Sequence, residues 1–177
     1  STPKPSSAAS DVYKRQMNAS SLTILIAEDS ATDRMLLSTI VGRQGHRVLV
    51  AANGLEALAL FESQRPQLVL MDALMPVMDG FEAARRIKAM AGEAMVPIIF
   101  LTSMSEDEAL VSCLEAGGDD FLAKPYSRVI LEAKINAMDR LRRLHQEVLR
   151  QRDQIARHNE HLQNEQLVAK AVFDKVA

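Results

Sequence analysis

The sequence predicts an α/β fold: a parallel sheet with helices on both faces. Three observations predict it. Short apolar runs alternate with helical patterns from Leu22 to about residue 140. The runs at Leu68-Val69-Leu70-Met71 and Ile98-Ile99-Phe100-Leu101 are apolar throughout, as strands covered on both faces are. Several runs end in an acid, a hydroxyl or a lysine, at the strand ends where open parallel sheets carry their chemistry.

Each element follows from its own pattern. Leu22 to Ala27 reads as the first strand. From about Ala31 to Gln44, Met35, Leu36, Ile40 and Val41 fall at helical spacing, and Gly45 supplies a stop. His46 to Ala51 is strand-like, and Gly54 to Gln64 is an Ala/Leu helix. Gln67 to Met71 is the third strand. Gly80 to about Ala91 is helical, with Phe81, Ala84, Ile87 and Lys88 in its period. Val96 to Leu101 is the fourth strand, and Glu106 to Ala116 is a helix ending at Gly117-Gly118. Asp120 to Ala123 is a short fifth strand, and Ser127 opens the last helix. Right-handed crossovers and a length of about 125 residues select the flavodoxin-like (βα)5 order 2-1-3-4-5. That order brings strand ends 1, 3, 4 and 5 to one edge.

The bulk numbers narrow the function. The chain has 177 residues, 47% of them hydrophobic, and a net charge of −2. This gives no strong pull toward nucleic acid or anionic lipid. No apolar run approaches the roughly 20 residues that span a bilayer. One cysteine, Cys113, rules out an internal disulfide and reads as a core thiol. A cytoplasmic setting is expected. Residues 1–20 are rich in Ser, Ala, Pro and Lys without an apolar period, and read as a disordered tail. Met17 is a candidate start, with Ser1–Gln16 an added leader.

The strand ends carry the functional signal. Strand 1 ends Glu28-Asp29-Ser30, strand 3 ends in Asp72, strand 4 ends Thr102-Ser103, and strand 5 leads into Lys124-Pro125. The turn after Asp72 reads Met75-Pro76-Val77-Met78-Asp79-Gly80. One Asp after one strand is by itself as compatible with a helix cap. An acid pair, a lone Asp, a Thr and a Lys-Pro together closely resemble the receiver domain of bacterial response regulators in two-component and phosphorelay signalling. The resemblance covers residues 21–140.

The resemblance implies that Asp72 accepts a phosphoryl group from a histidine kinase or a histidine phosphotransfer protein. It implies a Mg²⁺ ion held by Asp29 and Asp72, by Glu28 through water, and by the backbone carbonyl of Leu74. Those residue types suit the chemistry. Phosphoryl transfer needs positioning and neutralisation of spread negative charge. Clustered carboxylates repel one another without a cation, and Mg²⁺ takes oxygen ligands while keeping waters. Lys124 supplies a point charge for phosphate oxygens, and Thr102 a hydroxyl donor. The resemblance also implies a cis bond before Pro125 and a switch in which Thr102 moves and Phe121 turns. Phe121 lacks the phenolic hydroxyl that many relatives carry there. Leu74 and Met104 flank the reacting group and orient no attacking water, which implies slow to moderate self-hydrolysis.

After Pro125 no Gly or Pro follows, so one helix is expected through residue 177. Residues Val129, Ile130, Ala133, Ile135 and Ala137 are expected to pack on the sheet. Leu141, Val148, Ile155 and Leu162 recur every seventh residue, while Leu144, Gln151, His158 and Glu165 fill the intervening seam. This predicts a marginal parallel coiled coil over residues 141–177, a homodimer, with Glu147 facing the other chain's Arg152. A solvated helix is the plainer alternative, and His158 and His161 lack a third metal ligand. The apolar end at Val168, Val172 and Phe173 is expected to lead toward an effector domain outside this chain.

Two other functions compete. A Mg²⁺-dependent phosphatase with an Asp nucleophile would need a second Asp two residues after Asp72, where Leu74 stands. A phosphorylation-independent pseudo-receiver scaffold would have no use for Glu28, Asp29, Asp72, Thr102 and Lys124 together. The chemistry expected is that of a signalling phospho-acceptor, not of an enzyme turning over external substrate.

Overall fold

The computed structural model describes residues 21–177; the expectations for residues 1–20 lie outside them. The strands are β1 (Thr23–Ala27), β2 (Arg47–Ala51), β3 (Leu68–Asp72), β4 (Ile98–Thr102) and β5 (Asp120–Ala123). The helices are α1 (Ala31–Arg43), α2 (Gly54–Gln64), α3 (Gly80–Ala91), α4 (Glu106–Glu115) and α5 (Arg128–Val176). The sheet order is β2-β1-β3-β4-β5, and every neighbouring pair is parallel. Both match the order expected from the sequence.

β3 and β4 are buried at every position, because α1 and α5 cover one face of the sheet and α2, α3 and α4 the other. On one side Ile24, Ile26, Leu70, Ile99 and Leu101 meet Leu37 and Leu131. On the other, Leu25, Val69, Met71 and Phe100 meet Phe61, Ala84 and Ile87. The edge strand β2 is mixed in burial, with Arg47 and Val50 exposed.

The starts of α1, α2 and α3 are set by side-chain caps. Ser30 Oγ accepts from Asp33 N at 3.3 Å, Asn53 Oδ1 from Glu56 N at 3.0 Å, and Asp79 Oδ1 from Glu82 N at 2.8 Å. Glu56 also reaches back to Ala52 N at 2.8 Å. Each cap satisfies a helix-start amide that has no partner within its own helix.

Two helix faces differ from expectation. Met35 is 73% exposed and Leu36 is also exposed; the core stripe of α1 is Leu37, Ile40 and Val41. On α5, Val129 is 70% exposed, and Ile130 and Ala133 are exposed as well. Ile135 is buried as expected, but its buried companions are Leu131 and Met138, the three falling at i, i+4 and i+7. A helix with apolar residues on more than one face offers several stripes of similar period, and the packing surface selects among them.

The chain divides into two compact units, one ending at Asp139 and one spanning Arg140–Ala177. α5 contributes its first turns to the former. The second unit is helical through Val176, and Leu141, Leu144, Val148, Ile155 and Leu162 are exposed along it. Among the described residues, no helix is long and apolar enough to cross a membrane.

Candidate functional site

Four strand ends build the site. β1 runs directly into Glu28 and Asp29. Glu28 N donates to the carbonyl of Ala51 at 3.1 Å, which holds the chain beside the end of β2. Arg34, one turn into α1, donates from one guanidinium nitrogen to the carbonyls of Glu28 (2.7 Å) and Asp29 (3.2 Å). Glu28 is 1% exposed, whereas Asp29 is open to solvent.

Asp72 closes β3 and is 7% exposed. Its Oδ1 accepts a long hydrogen bond from Leu74 N at 3.4 Å. The chain after it is pinned twice: Ala73 N donates to Leu101 O at 3.0 Å, and Gly80 N to Ala73 O at 2.9 Å. Gly80 lies so close to the Asp72 carbonyl and Met71 that a Cβ there would collide with both. Between these pins, Met78 N donates to Pro76 O at 2.8 Å across Val77, which has φ +70° and is 75% exposed. A β-branched residue in the left-handed region is strained.

Thr102 ends β4 and is buried; its Oγ1 accepts from Met104 N at 3.0 Å. Its carbonyl accepts from Lys124 N at 2.7 Å, carrying the register of β4 and β5 into the Lys124-Pro125 bond, which is cis as expected. Phe121 lies opposite Phe100 on β5, half-buried against the Phe100 side of the core.

Lys124 is the hub. Its Nζ lies 2.8 Å from Glu28 Oε2, 3.6 Å from Asp72 Oδ2 and 3.9 Å from Asp33 Oδ2. Glu28 Oε1 accepts from Ser30 N at 3.1 Å, so both oxygens of this buried acid have partners. Ligand oxygens of Glu28, Asp29 and Asp72 all lie within 4.8 Å of one another.

Crowding sets the protonation of the site. Burial, then the charge of Glu28, pushes the Asp72 carboxyl up to about 7, against the lowering by Lys124 and the Leu74 N–H. Burial lowers the Lys124 ammonium, but the Glu28 hydrogen bond and the charges of Asp72, Glu28 and Asp33 outweigh it, and the net shift is upward. Tyr126, next along from Pro125, is pushed up to about 12 by burial and by the Asp33, Glu28 and Asp72 charges. Its phenol therefore stays protonated.

The structure thus brings Glu28, Asp29, Asp72 and Lys124 together, with Thr102 at the same rim one residue past the register partner of Asp72. Leu74, two residues after Asp72, has an exposed side chain. Sequence reasoning missed Asp33, Arg34 and Tyr126. Ser30-Ala31-Thr32-Asp33 is a helix-start signature that places an acid in the first turn of α1, and that signal was available.

The family described as "Response regulator receiver domain" matches residues 24–136. The chain is 41% identical over 116 residues to the transcriptional regulatory protein AfsQ1 of Streptomyces coelicolor, covering 66% of this chain and 50% of that one. It is 36% identical over 115 residues to protein PilH of Pseudomonas aeruginosa, covering 65% of this chain and 95% of PilH. Among solved structures, the receiver domain of a signal transduction histidine kinase from Syntrophus aciditrophicus aligns with a TM-score of 0.62 at 36% identity. That alignment covers 67% of this chain and 89% of that one. The chain spans about half the length of the first curated regulators it matches. With the matched stretch extending from β1 into α5 and enclosing the whole carboxyl rim, the chain belongs to the response regulator receiver domain family.

Proposed function

We propose that this chain is a phospho-acceptor module, in which Asp72 takes a phosphoryl group from a phosphohistidine on a histidine kinase or phosphotransfer protein. The observation that carries the reading is the convergence at Lys124. One ammonium lies near carboxylates from the ends of β1 and β3, 2.8 Å from Glu28 and 3.6 Å from Asp72.

The donor set fits a hard divalent cation. Three carboxylates within 4.8 Å, one of them pushed up to about 7 by burial and its neighbour's charge, are a set that a cation relieves. Asp29 and Asp72 would hold Mg²⁺ directly, Glu28 through water, and the Leu74 carbonyl would complete the set. When bound, the ion neutralises charge on the transferring oxygens. The chain's own groups do the rest. Asp72 forms the new oxygen–phosphorus bond, Lys124 meets a phosphoryl oxygen, and the Thr102 hydroxyl donates to another. Thr102 and Phe121 then relay the state. Exposed Leu36 on α1, which shares a pocket with Pro125 and Tyr126, and its exposed neighbour Met35 offer the partner an apolar surface.

The helix beyond Asp139 serves, in this reading, as a dimeric linker. Exposed Leu141, Val148, Ile155 and Leu162 form its seam. Glu147 bonds Arg150 at 2.6 Å and Gln151 at 3.1 Å on its own helix, so its pairing with Arg152 of a second copy has competition. That supports a marginal association. Such a module works in the cytoplasm, where its phosphodonors are made.

The test is incubation with acetyl phosphate and Mg²⁺ followed by intact-mass measurement. One phosphoryl adduct per chain, lost in Asp72→Asn and suppressed by chelator, is expected. Release of phosphate with continuous turnover would favour a phosphatase, and no adduct would favour a scaffold. Sedimentation with and without beryllofluoride tests the linker; a monomer in both conditions ends the dimer reading.

A further inference from the structure

Beside the acceptor opens a pocket of about 380 Å³, lined by Asp33, Leu36, Lys124, Pro125 and Tyr126. Asp33 is the group there that the acceptor chemistry leaves unused. It does not belong to the three carboxylates gathered near one another. Its Oδ2 is 3.9 Å from Lys124 Nζ, beyond hydrogen-bond length, and its side chain is partly open to solvent.

A carboxylate at this place works against simple phosphoryl uptake. It repels an incoming anion and competes for Lys124. It suits a donor that brings its own positive charge. A phosphorylated imidazole protonated on its other ring nitrogen is such a donor: flat, cationic, and carrying one N–H. Leu36, Pro125 and the protonated Tyr126 phenol ring supply apolar walls for a ring, and Asp33 supplies an acceptor for the N–H.

We propose that Asp33 binds the leaving imidazole, accepting a hydrogen bond from the ring N–H farthest from the phosphorus. The proposal rests on Asp72 being the phosphoryl acceptor. In the step, an Asp72 oxygen bonds to phosphorus and the phosphorus–nitrogen bond breaks. Its electron pair returns to the ring nitrogen. The far nitrogen keeps its proton, so the ring departs as neutral imidazole instead of as an anion. Asp33 gains no proton; it holds the ring in the form that leaves readily.

Two small donors separate this from other roles: phosphoimidazole, which leaves a ring, and acetyl phosphate, which leaves a carboxylate. The full chain with Mg²⁺ is given each, and adduct formation is timed by intact mass. Asp33→Asn is expected to slow transfer from phosphoimidazole about tenfold or more, the size of a lost charge-assisted hydrogen bond. Transfer from acetyl phosphate should be unchanged or faster. Asp33→Ala should behave likewise, and Asp33→Glu should recover part of the rate. A thermal melt of each variant checks folding. Equal slowing with both donors, no slowing with phosphoimidazole, or faster reaction with both would overturn the proposal. A wild-type chain that takes phosphoryl from neither donor overturns the acceptor reading itself.

Discussion

At the amino-terminal edge of the sheet, side chains close three backbone donors at the starts of two strands, β1 and β4. Leu22 N, just before β1, donates to His46 Nδ1 at 3.2 Å, and Thr23 N to Gln67 Oε1 at 2.7 Å. Ile98 N donates to Asp119 Oδ2 at 2.8 Å, and Lys88 Nζ bonds the same oxygen at 2.5 Å. At the carboxyl edge the balance runs the other way. Glu28, Asp29 and Asp72 crowd within 4.8 Å, Lys124 is shared among three acids, and Val77 is held at φ +70°. The same sheet thus carries one edge arranged for stability and one loaded against it. A fold tolerates such a load where the surrounding structure over-determines it, and functional sites are where it collects.

The comparison predicts opposite signs for removing an acid at the two edges. The largest effect is at Asp72. Its carboxyl sits at about 7 in the folded chain against an ordinary value of 3.8, so the folded state holds the proton more tightly than the unfolded state does. Ionisation at Asp72 therefore costs stability in full above about pH 7, and the loss is recovered as pH falls toward 3.8. Asp72→Asn should raise the unfolding free energy at pH 8 without divalent cation by on the order of 2–3 kcal/mol. Urea unfolding at pH 8 and pH 5 checks it; an equal gain at both would show that ionisation is not the cause. Added Mg²⁺ should stabilise the wild type and leave the variant nearly unmoved.

Next in size is Asp119→Ala. It strips the partner from Ile98 N and from Lys88 Nζ, whose other bond, to Val96 O at 2.9 Å, remains. A loss of about 2 kcal/mol is expected in the same assay. If this variant were neutral, the amino edge would be no better arranged than the other.

Smaller again is Val77→Gly. Glycine takes the left-handed region freely, so about 1–3 kcal/mol of strain is released against about 0.5–1 kcal/mol of chain entropy. A net gain of about 1 kcal/mol should appear in thermal unfolding. A loss would mean that the exposed Val77 side chain, not its backbone, matters to the turn.

Much of this was legible in the sequence for identifiable reasons. β3 and β4 read cleanly because strands covered on both faces need unbroken apolar runs. Glu28, Asp29, Asp72 and Lys124 read cleanly because parallel strands put their carboxyl ends at one rim. Helix faces were harder. α1 offers Met35-Leu36-Leu37 in a row, and only the sheet decides that Leu37 turns inward. Asp33 and Tyr126 were hidden because only the fold brings them together at Lys124, from separate elements. Val77 breaks the local rule for its residue type, so no propensity could place it in the left-handed region.

The finest probe of the amino edge is His46. The imidazole is buried, and burial lowers its basicity while the Asp139 charge partly restores it; the net shift is downward from 6.5. The unfolded chain thus binds the proton more readily than the folded one. The stability tied to neutral His46 is complete above about pH 6.5 and is lost as pH falls below it. The cause is specific: Nδ1 accepts from Leu22 N, and a protonated ring has no acceptor there. The loss should be up to about 1 kcal/mol, the net value of one hydrogen bond. His46→Asn keeps an acceptor without titrating, so its unfolding free energy should be flatter than the wild type's between pH 7 and pH 5. Asp139→Asn removes the charge that favours the imidazolium, so the decline should still begin near pH 6.5 but run to lower pH and grow larger. A decline of unchanged depth in Asp139→Asn would separate the two residues, and a decline that persists in His46→Asn would assign the acid sensitivity to other groups.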